Sequence, residues 1–197
     1  MLRRCLVLLI LVLPVRAAAQ TVTWTIDPEH SAAAFTVRHM LVANVKGEFD
    51  GPTGTVSYDS KHIAETLKVD ATIKVTTVNT RNAARDNDLR GDQFFAVAKY
   101  PVMTFKSKRA VAGAAGHFMV TGDLTLRGVT KEVVLDVEGP TPEVRDLWKQ
   151  SRVGATMTTV VSRRAFGLLY NELLEAGGAV VGDEVRVTID LEIFHKE

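Results

Sequence analysis

The chain has 197 residues, with 24 Lys and Arg against 23 Asp and Glu, and a single cysteine, Cys5. So even a balance gives no electrostatic reason to expect nucleic acid as a partner. One cysteine excludes an internal disulfide framework and any site built from several thiolates.

In chain order, the first element is a leader. Arg3 and Arg4 precede an apolar run over 5–13, and the small residues Ala17 and Ala19 stand just before Gln20. The run falls short of the ~20 residues a spanning helix needs, so residues 1–19 read as a secretory signal peptide cleaved before Gln20. Cleavage would remove Cys5 together with Arg3, Arg4 and Arg16, leaving 21 basic against 23 acidic residues, a net charge of −2. Residues 20–197 are then expected to form one periplasmic domain, with no cysteine to acylate at the new N-terminus, no stable membrane insertion and no cofactor. Monomer and homodimer are both compatible with the sequence.

From there, period-two alternation dominates, the signature of antiparallel sheet with one buried face. It runs through Ala33, Phe35, Val37 and His39, then Leu67, Val69, Ala71, Ile73 and Val75, then Met103, Phe105 and Ser107. It resumes at Phe118, Val120, Gly122, Leu124 and Leu126, at Val133, Leu135 and Val137, and at Ala155, Met157, Thr159 and Val161. The last run is Val185, Val187, Ile189, Leu191 and Ile193. Long strands separated by turn signals at Asp50-Gly51-Pro52 and Gly113-Ala114-Ala115-Gly116 predict an all-β fold, a single antiparallel barrel of about eight strands. Two segments break the alternation. Residues 82–95, with Ala83, Ala84, Leu89, Phe94 and Phe95 among charges, predict a short helix or lid. Residues 166–176, with Phe166, Leu168, Leu169, Leu173 and Leu174 before Gly177-Gly178, predict a second short helix; both would cover barrel ends.

The residues then form a recognisable series. Trp24-Thr25-Ile26-Asp27-Pro28-Glu29-His30-Ser31, Phe35-Thr36-Val37-Arg38-His39 and Gly47-Glu48-Phe49 are followed by Asn79-Thr80, Arg85-Asp86, Leu89-Arg90 and Phe94-Phe95. Tyr100-Pro101, Phe105-Lys106-Ser107, Gly122-Asp123-Leu124-Thr125, Gly128-Val129-Thr130-Lys131, and Arg163 with Phe166-Gly167 complete it. This series resembles the YceI-like family, secreted bacterial proteins with a lipocalin-like barrel that binds polyisoprenoid lipids. The resemblance implies a polyprenyl chain or quinone tail as ligand. The chain departs from the family pattern at Asp88 and at Leu126-Arg127, where the family carries histidine next to the Leu and next to the Gly-Val-Thr.

An eight-stranded barrel either fills with its own side chains or leaves room for one elongated ligand. Small residues at Ala33, Ala71, Gly122 and Ala155, with adaptable Met103 and Met157, suit a cavity lined by Phe35, Val37, Val69, Ile73, Phe105, Val120, Leu124 and Met157. Candidate head-group contacts are His30, His39, Arg85 and Arg163, with Arg90 nearby in sequence. Asp86, Phe94 and Phe95 are assigned to the lid, with Asp86 expected to pair with Arg85 and Arg163 able to bond loop carbonyls. An alternative is a stress-related extracytoplasmic scavenger or carrier of another amphiphile. A hydrolase is the third reading: Asp27, His30, Ser31 and His39 lie close in sequence, yet no Gly-x-Ser-x-Gly or His-Glu-x-x-His motif is present, and no catalytic residue is assigned. His30, His39, His62, His117 and His195 show no ligand spacing, and no metal is expected.

Overall fold

Alternating side chains place one apolar face per strand, and eleven antiparallel strands follow from it among the described residues, 20–172 and 180–195 of this computed structural model. They are β1 (Val22–Ile26), β2 (Ala32–His39), β3 (Ala43–Phe49), β4 (Thr53–Tyr58), β5 (Lys68–Lys74), β6 (Val102–Ala112), β7 (His117–Leu126), β8 (Val129–Glu138), β9 (Val144–Arg145), β10 (Ser151–Ser162) and β11 (Val181–His195). Two short helices interrupt them, α1 (Ile63–Thr66) and α2 (Ala83–Arg90).

β11 closes the barrel. One edge pairs with β10, from Ser151↔His195 to Ser162↔Glu184. Its other edge is shared: β2 takes the half from Val181 to Asp190, and β1 takes Ile193 and Phe194. From β1 the ladder passes through β4, β5, β6, β7, β8 and β10 back to β11, a ring of eight strands. Closure leaves those strands without a free edge. The fold is therefore the predicted antiparallel, lipocalin-like barrel, with the β2–β3 hairpin extending its wall.

Local exceptions to the alternation have identifiable causes. Between Ser107 and Arg109 the β6–β7 register shifts, so that Ala110, rather than Arg109, joins the interior after Phe105. A bulge of this kind adds one residue and reverses the facing of everything beyond it. β1, β3 and β4 fall outside the predicted runs, although Val22, Trp24 and Ile26 alternate as cleanly as any of them.

The helix predicted over 166–176 is corrected in its described part. Arg164–Phe166 makes a single 3-10 turn, and Gly167, at φ 77°, ends it in the left-handed region. Beyond it the carbonyls of Leu168 and Tyr170 are taken by the Arg163 guanidinium, so they are not available to a helical ladder. Residues 173–176 of that expectation, like the leader over 1–19, lie outside the described residues. The second short helix is instead α1, following β4.

Strand direction defines two ends. The first carries the start of β1, α1, the β6–β7 turn and the link from β8 to β10; the second carries the β2–β3 turn, α2, the β7–β8 turn and the segment after β10. Near the first end Trp24, Ile26, Val56, Tyr58, Val153 and Ile193 form a buried cluster. Trp24 and Tyr58 stack there, ring centres 6.0 Å apart. Toward the second end Ala33, Phe49, Val75 and Val78 are buried together, packed against Phe35, Leu89 and Phe95.

Candidate functional site

Inward-facing positions of these strands surround a cavity of about 270 Å³. Its lining extends along β10 from Val153 to Val161, about 27 Å at ~3.4 Å per residue. The volume lies just under the ~300–1,000 Å³ of typical small-molecule pockets. All eight residues predicted for the apolar pocket line it: Phe35, Val37, Val69, Ile73, Phe105, Val120, Leu124 and Met157. Ala33, Ala71 and Ala155 line it as well. Gly122 does not: a Cβ there would stand 2.5 Å from both the Lys106 carbonyl oxygen and the Phe105 ring. Its role is close approach between β6 and β7, so the expectation that it contributes ligand volume is corrected.

One charged side chain is found in that lining among the described residues, Arg163. It is buried, and its guanidinium is committed to the backbone: Nε donates to Gly182 O at 2.8 Å, Nη1 to Tyr170 O at 2.8 Å and to Leu168 O, and Nη2 to Val181 O at 3.0 Å. Burial pushes its pKa down, since an ion removed from water loses solvation. Arg163 thus ties the segment after β10 to the start of β11, and its donors are already engaged.

The lid forms at the second end. Asn82 caps α2 by accepting from Arg85 N at 3.1 Å, in accord with the preference of Asn for that position. Phe94 and Phe95 follow α2 and both line the cavity. Phe95 packs edge-on against Phe49 at 5.8 Å, and Phe94 meets Tyr170 at 4.8 Å. Arg85 and Asp86 do not bond each other; Thr80 stands between them. The Thr80 hydroxyl donates to Asp86 Oδ1 at 2.5 Å and accepts from Arg85 Nε at 2.7 Å. Thr80 N also donates to Asp86 Oδ1 at 2.8 Å, and Arg85 Nη2 reaches Thr80 O at 2.8 Å. The Thr80 hydroxyl and N–H hold the buried Asp86 carboxyl below the usual carboxylate range. The two charges were expected to pair directly, but adjacent helical positions do not face each other, and a side chain from the preceding loop mediates. Arg90 donates to the carbonyls of Thr76 and Val78, fixing the other end of α2.

A groove of about 640 Å³ runs between α2 and the β2–β3 hairpin. It shares Phe35, Val37, Leu89, Phe94 and Val181 with the cavity, so the two lie side by side across those side chains. Here the structure brings together His39 and Arg85 from the predicted head-group set, and adds Arg38, Asp88, Asp92 and Tyr170. Arg38 stands in the family-like series without an assigned role and Tyr170 is not singled out by the sequence, because their place in this groove depends on how distant segments pack. Arg127, at one departure from the family pattern, donates to Gly167 O at 2.6 Å and Asp92 O at 2.8 Å, joining three segments of this end.

His30 lies elsewhere. It sits at the first end, Nδ1 3.0 Å from Asp27 Oδ2, in a cluster centred on Arg152. Arg152 Nη1 contacts Asp27 at 2.8 Å and also Glu192, while Nε contacts Asp146 at 2.7 Å. Burial acts to raise the Asp27 pKa, but the bonds from Arg152, His30 and Glu29 N outweigh it and bring it down to about 2. Hydrogen bonding to Asp27 raises that of His30. Although Asp27, His30 and Glu192 could gather round a cation, the guanidinium already occupies their carboxylates. Ser31 accepts from Glu192 N at 2.9 Å and makes no bond to His30, so these neighbours do not form a nucleophile–base pair.

This architecture and this lining define a β-barrel with an internal apolar cavity. Residues 24–193 match the YceI-like domain family. A UPF0312 protein of Staphylococcus aureus is 33% identical over 174 residues, covering 88% of this chain and 98% of its own length. The crystal structure of the Campylobacter jejuni YCEI protein superposes with a TM-score of 0.67 at 32% identity, covering 81% of this chain and 90% of that one. A polyisoprenoid binding domain from Saccharophagus degradans shares the fold, with a TM-score of 0.61 at 20% identity over 88% of this chain and 98% of its own. The chain belongs to the YceI-like family.

Proposed function

We propose that this protein is an exported carrier that holds an isoprenoid-type lipid, a polyprenyl chain or quinone tail, inside the barrel. The observation that carries the reading is the cavity: it runs the length of the barrel, its lining is apolar, and the one charged side chain found in it among the described residues, Arg163, is spent on backbone carbonyls. A chain-like, uncharged body suits such a space, and polar selection then falls to the groove at the second end. The Saccharophagus domain of the same fold, named for polyisoprenoid binding, supports the direction. Residues 1–19, read as a signal peptide, would deliver the barrel to the periplasm.

Tail burial relative to water contributes ~0.8 kcal/mol per CH₂, enough in a long prenyl chain to exceed any measured non-covalent affinity. Water is the wrong reference, because the tail otherwise resides in a membrane where it is already dehydrated. Net exchange energy is then small, which suits a carrier that must release its cargo. No step of bond making or breaking enters this reading.

Native mass spectrometry of protein expressed as the full chain and recovered from the periplasm tests it: a co-purifying isoprenoid lipid is the expected result. Recovery from the cytoplasm with residues 1–19 intact would remove the exported part. Ala155→Phe fills the cavity from β10, and the variant is expected to lose lipid while remaining folded, at a cost of about 1–3 kcal/mol for overpacking. Undiminished lipid in a folded Ala155→Phe protein would place the cargo elsewhere.

A further inference from the structure

The tip of the β2–β3 hairpin is built against ordinary turn chemistry. In the three-residue loop between the paired His39 and Ala43, Val42 N donates to His39 O at 3.1 Å, closing a β-turn centred on Met40 and Leu41. Both have positive φ, 50° and 62°. Turns of this hand favour Asn-Gly, whose backbones tolerate the left-handed region. Here the positions carry large apolar side chains instead, and they are exposed: Met40 at 42%, Leu41 at 59% and the adjoining Val42 at 77%. The turn is braced from below, with Arg38 Nε donating to Leu41 O at 3.1 Å and Met40 N to Val180 O at 2.8 Å. A fixed backbone therefore holds three consecutive apolar side chains in solvent. Leu169, 64% exposed, lies at the same end, beside the Tyr170 that meets Phe94.

The location supplies the second argument. The groove that adjoins the cavity is walled by the same hairpin, through Phe35, Val37, Arg38 and His39. A tail passing between bilayer and barrel through open water would expose its whole apolar length, so transfer is fast only where the mouth meets the lipid surface. Apolar side chains on a rigid tip, with the cationic Arg38 behind them, are what an interfacial contact with lipid requires.

Resting on the carrier reading above, we infer that the Met40-Leu41-Val42 tip is a docking wedge that seats the second end of the barrel on a lipid bilayer, aligning the groove with the membrane for loading and release. The rival surface is at the first end, where Leu147 and Trp148 are 94% and 74% exposed. The 640 Å³ groove and the paired phenylalanines Phe94 and Phe95 lie at the other end, which favours the Met40-Leu41-Val42 tip.

Two tryptophans, the buried Trp24 and the exposed Trp148, make the ends separable by fluorescence. Vesicles of phosphatidylethanolamine and phosphatidylglycerol are the probe. With Leu41→Trp in a Trp148→Phe background, emission is expected to move to shorter wavelength on vesicle addition, whereas the protein with native Leu41 and Trp148 should show no comparable shift. Met40→Asn with Leu41→Gly preserves the turn, so its thermal unfolding should match the parent. Its vesicle binding should fall by at least about ten-fold, a step of 1.4 kcal/mol. A shift at Trp148 alone would overturn the inference in favour of the first end. Unchanged vesicle binding by the Asn-Gly variant would also overturn it, as would conversion of a dimer to a monomer in light scattering with vesicle binding intact, which makes the tip a self-association surface. Native mass spectrometry on the same preparations separates the failures: lipid-free protein that still docks through Leu41→Trp removes the cargo reading alone, and lipid-loaded protein that does not dock removes the wedge alone.

Discussion

The two ends of this barrel are stabilised by different chemistry. At the first, one guanidinium, Arg152, is surrounded by Asp27, Asp146 and Glu192, and the stacked Trp24 and Tyr58 fill the interior behind it. At the second, α2 and the two phenylalanines that follow it lie over the cavity; the charges of α2 are met by neutral partners, Asp86 and Arg85 by the Thr80 hydroxyl and Arg90 by the carbonyls of Thr76 and Val78. Opposed charges in partial burial lock one geometry, because separating them strands ions. Hydrogen bonds to carbonyls and aromatic edges cost less to rearrange. Under the carrier reading, ligand would enter at the second end, where α2 and the aromatic contacts of Phe94 and Phe95 can shift without separating opposed charges.

Removing the centre of the ionic end should have the largest effect. Arg152→Ala leaves three carboxylates facing one another, and urea unfolding is expected to register a loss of about 3 kcal/mol, with lipid binding preserved once the protein is folded. Lipid binding lost in step with stability would mean that the two ends are not independent.

Next comes the lid's buried carboxylate. Asp86→Ala strands the Thr80 hydroxyl and N–H, at about 1–3 kcal/mol, and should weaken lipid retention as well, because α2 loses its anchor over the cavity. Equal retention by the variant and its parent would detach the lid from ligand holding.

Acid provides an intermediate test. The folded Asp27 pKa of about 2 lies below the ordinary 3.8, so its contribution to stability is complete above the ordinary value and disappears as pH falls through about 2. Asp146 shifts in the same direction, its hydrogen bond to Arg152 leading. His30 is raised and runs oppositely: its contribution is complete below 6.5 and fades as pH rises through the folded value. Thermal melts of the parent should drop between pH 4 and pH 2 more steeply than those of Asp27→Asn. Parallel curves would show that the ionic end does not govern acid sensitivity.

The smallest effect is expected from Arg85→Ala. Its side chain is half-buried and bonds only Thr80, so the lipid-free protein should lose about 1 kcal/mol or less in thermal unfolding. A loss confined to the lipid-bound protein would instead make Arg85 a head-group contact.

Much of this was legible in the residues alone. Period-two patterning gave the barrel and its inward positions because strand side chains alternate by geometry, wherever the strand later pairs. All eight residues chosen by that rule line the cavity, and the break in alternation over 82–95 marked a short helix or lid, within which α2 forms. What tertiary structure decided lies where distant segments meet. Arg163 could be read as a head-group ligand until the carbonyls of Leu168, Tyr170, Val181 and Gly182 surrounded it; His30 could be placed near a ligand until β10 delivered Arg152 beside Asp27. Gly122 passed for spare volume until Phe105 from the neighbouring strand lay across it. Alternation is a local property of the backbone, and one chain of residues suffices to reveal it. Partners of a charge, and the space left at a glycine, depend on register and closure, which are fixed only when all eight strands have paired.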